Sequence, residues 1–170
     1  AFDVDIASKE IEAGAIDFYN FSLKTPAAEK LASNDDITIY KAPASTLSIV
    51  LNPAPALEGD LNPLSIKGVR QALQIVVNRS FIAQELYKGF AVPMLTHVSH
   101  ADFDYLTLFR LLKESHISHD PELAKDMVSK EMTSAGATLE NGFWHFNDKR
   151  IDLKFIVRTE DERWDIGNTI

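Results

Sequence analysis

The stretch that decides the reading is VRQALQIVVNRSFIAQELYKG, residues 69–89. Apolar residues at helical spacing run through Val69, Leu73 and Val76, and resume at Phe81, Ile82 and Leu86, with Asn78 and Arg79 between the two sets. Asn is a favoured N-cap, because its side-chain oxygen accepts from backbone N–H groups that a new helix leaves unpaired. Gly89 supplies the left-handed closing residue of a helix end. The pattern therefore predicts two helices, as a hairpin or a kinked pair, with a restart at Asn78 that turns the chain.

Working outward, Ser65 is placed to cap the first of these helices, whose face is Ile66, Val69, Leu73 and Val76. Before it, PAPALEGDLNP (53–63) holds three prolines and a glycine and reads as a linker. TLSIVLN (46–52), ITIYKA (37–42) and AIDFYNF (15–21) are rich in β-branched or aromatic residues and read as strands. DVDIASKEIEA (3–13) reads as a helix stopped by Gly14, and TPAAEKLA as a helix capped by Thr25 with Pro26 first.

Downstream, residues 89–105 have the composition of a loop, and DYLTLFRLLKE that of a helix. DPELAKDMVSKEMTSAG predicts a helix with Asp120 as cap and Pro121 first. Leu123, Met127, Val128 and Met132 would face inward, and Gly136 would be the stop. FWHFNDKRIDLKFIVR predicts a β-hairpin with Trp144 and Phe146 across from Ile151, Leu153 and Phe155. In TEDER, Thr159 and Glu162 have capping-box spacing at a helix start.

Composition bounds the function. The chain is 45% hydrophobic and 25% charged with a net charge of −8. That balance argues against nucleic acid, which calls for a basic stripe that releases counterions, and against an anionic membrane surface. No apolar run reaches the length of about 18 residues that a membrane span needs. Cysteine is absent, which removes disulfides, thiolate metal sites and cysteine nucleophiles. The start at Ala1 and the end inside an incipient helix read as a piece of a longer protein.

Chemical motifs are sparse. His97 and His100 form one H-x-x-H and His116 and His119 another, a spacing that on a helix puts two imidazoles on one face. Both fall in loop-like sequence and lack the H-E-x-x-H base, so solvated histidines are the plainer reading. The acids of TEDER are explained by the helix start, where the helix dipole favours them. Trp144 reads as packing, whereas Tyr87 and Phe90, flanking Gly89, could line a cleft. No phosphate-cradling loop or nucleophile elbow is present. The residues thus nominate no catalytic group, no metal ligand and no cofactor.

The ordered set of segments resembles the family 5 extracytoplasmic solute-binding proteins, the peptide- and nickel-binding receptors of ABC importers. The resemblance is carried by a strand ending in Asn52, the linker from Pro53 to Pro63, VRQAL (69–73), NRSFI (78–82), and Gly89 with Ala91 and Pro93. IEAGAIDFYNF upstream, and the D-P-x-x-A-K helix, Ala-Gly and hairpin downstream, extend it over nearly the whole chain. Asn78 stands where the family commonly has Asp, and both residues cap helices.

The resemblance implies an α/β (α+β) fragment of a two-lobed periplasmic-binding-protein-like fold, with a mixed sheet and flanking helices. Residues 1–52 would be the tail of one lobe with its hinge strand, 53–63 the linker, and 64–170 the first part of the second lobe. By that analogy the hinge strand passes behind a ligand, with Thr46 and Ser48 as ligand contacts and Asn52 as a hinge hydrogen-bonder. The implied activity is capture of peptides or a similar small solute for an ABC permease. It would take place outside the cytoplasm, in the periplasm or at the outer face of the cell membrane, without catalysis. Two other readings stay open: a ligand-sensing domain of a regulator, and a metal-dependent enzyme using the paired histidines. An incomplete lobe would also leave apolar surface uncovered and self-associate.

Overall fold

The computed structural model describes residues 3–42 and 45–170. It is of α/β composition, and its residues group into two compact units. One unit comprises Ala1–Thr46 and Ser80–Pro93, and the other Leu47–Arg79 and Met94–Ile170. No helix among the described residues is long and apolar enough to cross a membrane.

In the first unit, α1 (Val4–Glu12) starts at Asp3, whose carboxylate accepts from the Asp5 N–H. Helix α2 (Thr25–Ala32) has Pro26 in its first turn, but its N-cap is Lys24, one residue before the Thr25 expected from sequence. Ion pairs Lys30–Glu12 at 2.6 Å and Lys24–Asp5 at 3.5 Å join the two helices. Ala7, Ala28 and Leu31 are its buried apolar residues from these helices.

The second unit carries the larger core. A 3-10 turn at Pro63–Ser65 leads into α3 (Lys67–Val76). Ser65 does not cap α3: its hydroxyl donates to the Asn62 carbonyl at 2.7 Å, and Ile66 holds the cap position. After α5 (Tyr105–Glu114), which forms where DYLTLFRLLKE predicts a helix, comes α6 (Pro121–Ser134); α3 packs on α6, burying Val69 against Met132 and Ala137, with Leu61, Ile66, Val128, Trp144 and Ile151 around them. Asp120 caps α6 by accepting from the Leu123 N–H at 2.9 Å, and Gly136 ends it at φ +86°. Leu123 is 48% exposed rather than inward, and Ala124 takes the buried place in that turn.

A three-stranded antiparallel sheet follows: β1 (Thr138–Glu140), β2 (Phe143–Phe146) and β3 (Lys149–Arg150), in the order β1-β2-β3. Its second turn is the two-residue Asn147-Asp148, with φ +49° and +60°. Two positive φ values match the twist of the flanking strands, as in a type I′ turn. The expected NDKR loop is thereby shortened. Phe146 pairs with Lys149 and Trp144 with Ile151, whose N–H donates to the Trp144 carbonyl at 2.8 Å.

The seam at Asn78 is where α3 has ended, and a short turn, α4 (Arg79–Phe81), begins directly after it. It widens into a π-helical turn, Ile82–Leu86, where the Tyr87 N–H reaches back to the Ile82 carbonyl. Gly89 closes the turn at φ +77°. In that wider register Ala83 is the buried residue, while Phe81, expected inside, is 42% exposed. The Arg79 guanidinium turns back onto α3, donating to the Gln74 carbonyl at 2.7 Å. A cation there satisfies a helix-end carbonyl and the negative end of the dipole. The chain also passes from one compact unit to the other between Arg79 and Ser80.

Several expected strands do not form. Residues 15–21, 37–42, 46–52 and 151–158 carry no strand. A β-prone sequence becomes a strand only beside a partner that pairs its backbone, and propensity alone does not supply one. The helix expected to start at Thr159 begins later, as α7 (Arg163–Thr169) with Glu162 as cap, so the capping box is not made. Asp161 instead pairs with Arg163.

Candidate functional site

The linker shapes a groove. Two Asn-Pro pairs, Asn52-Pro53 and Asn62-Pro63, bracket it, and each asparagine forms the same local turn. The Asn52 side-chain oxygen accepts from the Ala54 N–H at 3.1 Å, and that of Asn62 from the Leu64 N–H at 3.0 Å. Proline cannot donate, so the amide two residues on is the donor within reach. The Asn62 amide then donates across the loop to the carbonyls of Asn52 at 3.0 Å and Ala54 at 2.8 Å. Asn62 is thus the staple of the linker.

Two more contacts fix this loop within the same unit. The Asn147 amide donates to the Gly59 carbonyl at 3.1 Å, and Lys149 pairs with Asp60 at 2.8 Å. The linker turn is tied to the hairpin turn, and an open groove of about 510 Å³ lies alongside. Asn52 and residues 60–64 form one wall; Phe146 and residues 149–153 form the other. Arg150 and Asp152 pair at 2.8 Å, and the Arg150 guanidinium also lies 3.8 Å from the centre of the Phe143 ring. The groove walls carry amide groups, both signs of charge and apolar side chains, and the polar groups of Asn62, Lys149, Asp60, Arg150 and Asp152 are already engaged within the same unit.

Of the three residues nominated from sequence, Asn52 lies in this groove. Thr46 and Ser48 are exposed and fall on either side of the division between the two units, which comes after Thr46. Because 46–52 is not a strand, its side chains do not sort into two faces: Leu47, Ser48, Ile49 and Val50 are all exposed. His97, His100, His116 and His119 are exposed, and no group of three or more metal-ligating side chains is assembled among the described residues. Phe90 has the Lys41 ammonium 4.5 Å from its ring centre, within the first unit.

Sequence reasoning missed Asn62, although the second Asn-Pro dipeptide was a usable turn signal. It also gave no role to Arg70, whose guanidinium donates to the Leu64 and Ser65 carbonyls at 2.8 and 2.9 Å and holds the 3-10 turn against α3.

These positions coincide with the segments that carried the resemblance: the Asn-ended stretch, the proline linker, VRQAL and the hairpin. A family model for "Bacterial extracellular solute-binding proteins, family 5 Middle" matches residues 1–165. The chain belongs to this family. Comparison with curated proteins finds no match. As a member of the solute-binding family 5, the chain has solute binding as its role, and the family is one of binding proteins described as extracellular. The family-like residues hold the scaffold here. Val69 of VRQAL is in the core, Arg70 clamps the turn before it, and Asp120 and Ala124 of the D-P-x-x-A-K run cap and bury α6.

Proposed function

We propose that this chain is part of the receptor of an ABC importer that captures peptides, or a similar small solute, between two lobes. Capture takes place in the periplasm or at the outer face of the cell membrane, and the loaded receptor delivers its solute to a membrane permease. The observation that carries this reading is the family match across residues 1–165. In the proposal, residues 1–52 end one lobe, 53–63 link, and 64–170 open the other, with Thr46 and Ser48 touching solute and Asn52 steadying the hinge. Closure follows from binding because the solute contacts both lobes only in the closed state, so it shifts that population. No bond is broken.

Thermal unfolding with di- to hexapeptides, nickel chelates and sugars tests the proposal. A solute at a hundredfold excess over its dissociation constant stabilises by about 2.7 kcal/mol. Peptides are expected to raise the midpoint, and Ser48→Leu to weaken that effect without lowering the midpoint of the free chain. No shift with any peptide would refute the substrate class, and no shift with any solute would refute the receptor reading.

A further inference from the structure

We infer that the proline-rich stretch 53–63 joins without bending: it is a closed loop that opens and closes as one body, and Asn147 and Lys149 of the hairpin are what hold its tip. Its contacts, all within the second unit, fix it at three places. At the neck, the Asn62 amide donates to the carbonyls of Asn52 and Ala54, ten and eight residues back, at 3.0 and 2.8 Å. At the base, Arg70 of α3 donates to the Leu64 and Ser65 carbonyls, and Pro63 is buried. At the tip, the Gly59 carbonyl accepts from the Asn147 amide at 3.1 Å, and Asp60 pairs with Lys149 at 2.8 Å.

The stretch between neck and tip has little freedom to relax piecemeal. Pro53, Pro55 and Pro63 hold φ at about −65° and lower the entropy that closing the loop removes. The tip is a tight turn: the Asp60 N–H donates to the Leu57 carbonyl at 3.0 Å, and Gly59 takes φ +83°. Both tip contacts leave from the adjacent residues Gly59 and Asp60, so a shift of one displaces the other. Each contact alone is weak, because the Lys149–Asp60 pair is exposed and a single hydrogen bond is modest in net terms. Neck and tip therefore hold the loop together or not at all, the condition for a small cooperative opening unit.

The consequence for capture rests on the receptor reading above. The chain passes from the first unit to the second after Thr46 and enters the loop at Asn52. A loop tied to α3 and to the hairpin cannot supply the bending that closure requires. Along this part of the chain, bending falls upstream of Asn52. Asn52 is then the fixed end of the run that carries Thr46 and Ser48, and two hairpin residues far off in sequence set where that end lies.

The test is amide hydrogen exchange, followed residue by residue by NMR in the whole chain without solute, so its outcome is separate from that of the solute screen. The neck amides of Ala54 and Leu64 and the tip amide of Asp60 are expected to be protected to a similar degree. Asn147→Gly keeps the positive φ of the hairpin turn, and together with Lys149→Met it removes both tip contacts. The pair should speed exchange about tenfold at all three amides, neck included, while the amides of α3 keep their rates. Asn62→Ala should carry the same change from the neck to Asp60. Asp60→Asn, the mildest change, should speed the three amides about threefold. A rise confined to the altered end overturns the inference. So do loop amides that exchange like free peptide in the parent chain, or an equal rise throughout α3, which would leave the loop no body of its own.

Discussion

Replacing Met132 with alanine separates the core from the surface of α6. Met132 is 1% exposed and meets Val69 of α3 and Ala137 just before β1. The substitution removes roughly three methylene-sized groups, about 2.4 kcal/mol of transfer free energy at about 0.8 kcal/mol each. A residual cavity of roughly 50 Å³ would add about 1.2 kcal/mol at about 24 cal/mol per Å³. Leu61 and Ile66, half-buried beside the site, can move in and reduce that second part. The expected loss is therefore about 2.5–3.5 kcal/mol. Leu123, one of the inward residues of the helical pattern, is 48% exposed, and Leu123→Ala should cost about 1 kcal/mol or less because no closed cavity forms. Urea unfolding followed by circular dichroism gives both values, provided the denaturant slope is unchanged. A loss below about 1 kcal/mol for Met132→Ala, or equal losses for the two variants, would refute the packing argument.

Asn62→Ala deletes both donations across the linker and the acceptor for the Leu64 N–H, at a net cost of about 1–3 kcal/mol. Limited proteolysis should then cut residues 53–61 faster, whereas unchanged cleavage would show that Asn62 is not the staple. Asp161 accepts hydrogen bonds from the Arg163 side chain and backbone, and the Arg163 charge adds to their effect. Its carboxyl is drawn from the ordinary 3.8 down to about 2. A carboxylate lowered on folding stabilises fully above its unfolded value, and that contribution fades as pH falls from about 4 to about 2. A carbon-detected titration should therefore find the Asp161 midpoint below the usual carboxylate range, and Arg163→Gln should return it there. An ordinary midpoint in the parent chain would contradict the pairing.

What the sequence determined by itself was mostly local. Asp120 as a cap, Pro26 and Pro121 in first turns, and Gly14, Gly89 and Gly136 at positive φ are all settled within a few residues of backbone. The short hairpin turn was half legible, since Asn147-Asp148 is a good turn pair, but its length depends on which residues across the strands meet. The ordered motifs were also enough to point to the family.

Tertiary structure decided what depends on a distant neighbour. Whether Leu123 or Ala124 is inside depends on where α3 lies, and helical spacing alone leaves that choice open. The groove exists because Asn62 reaches back ten residues to Asn52 while Lys149 reaches Asp60, 89 residues away. The β-prone runs at 37–42, 46–52 and 151–158 remained without a ladder, because a strand is a property of two backbones and a single sequence specifies only one of them.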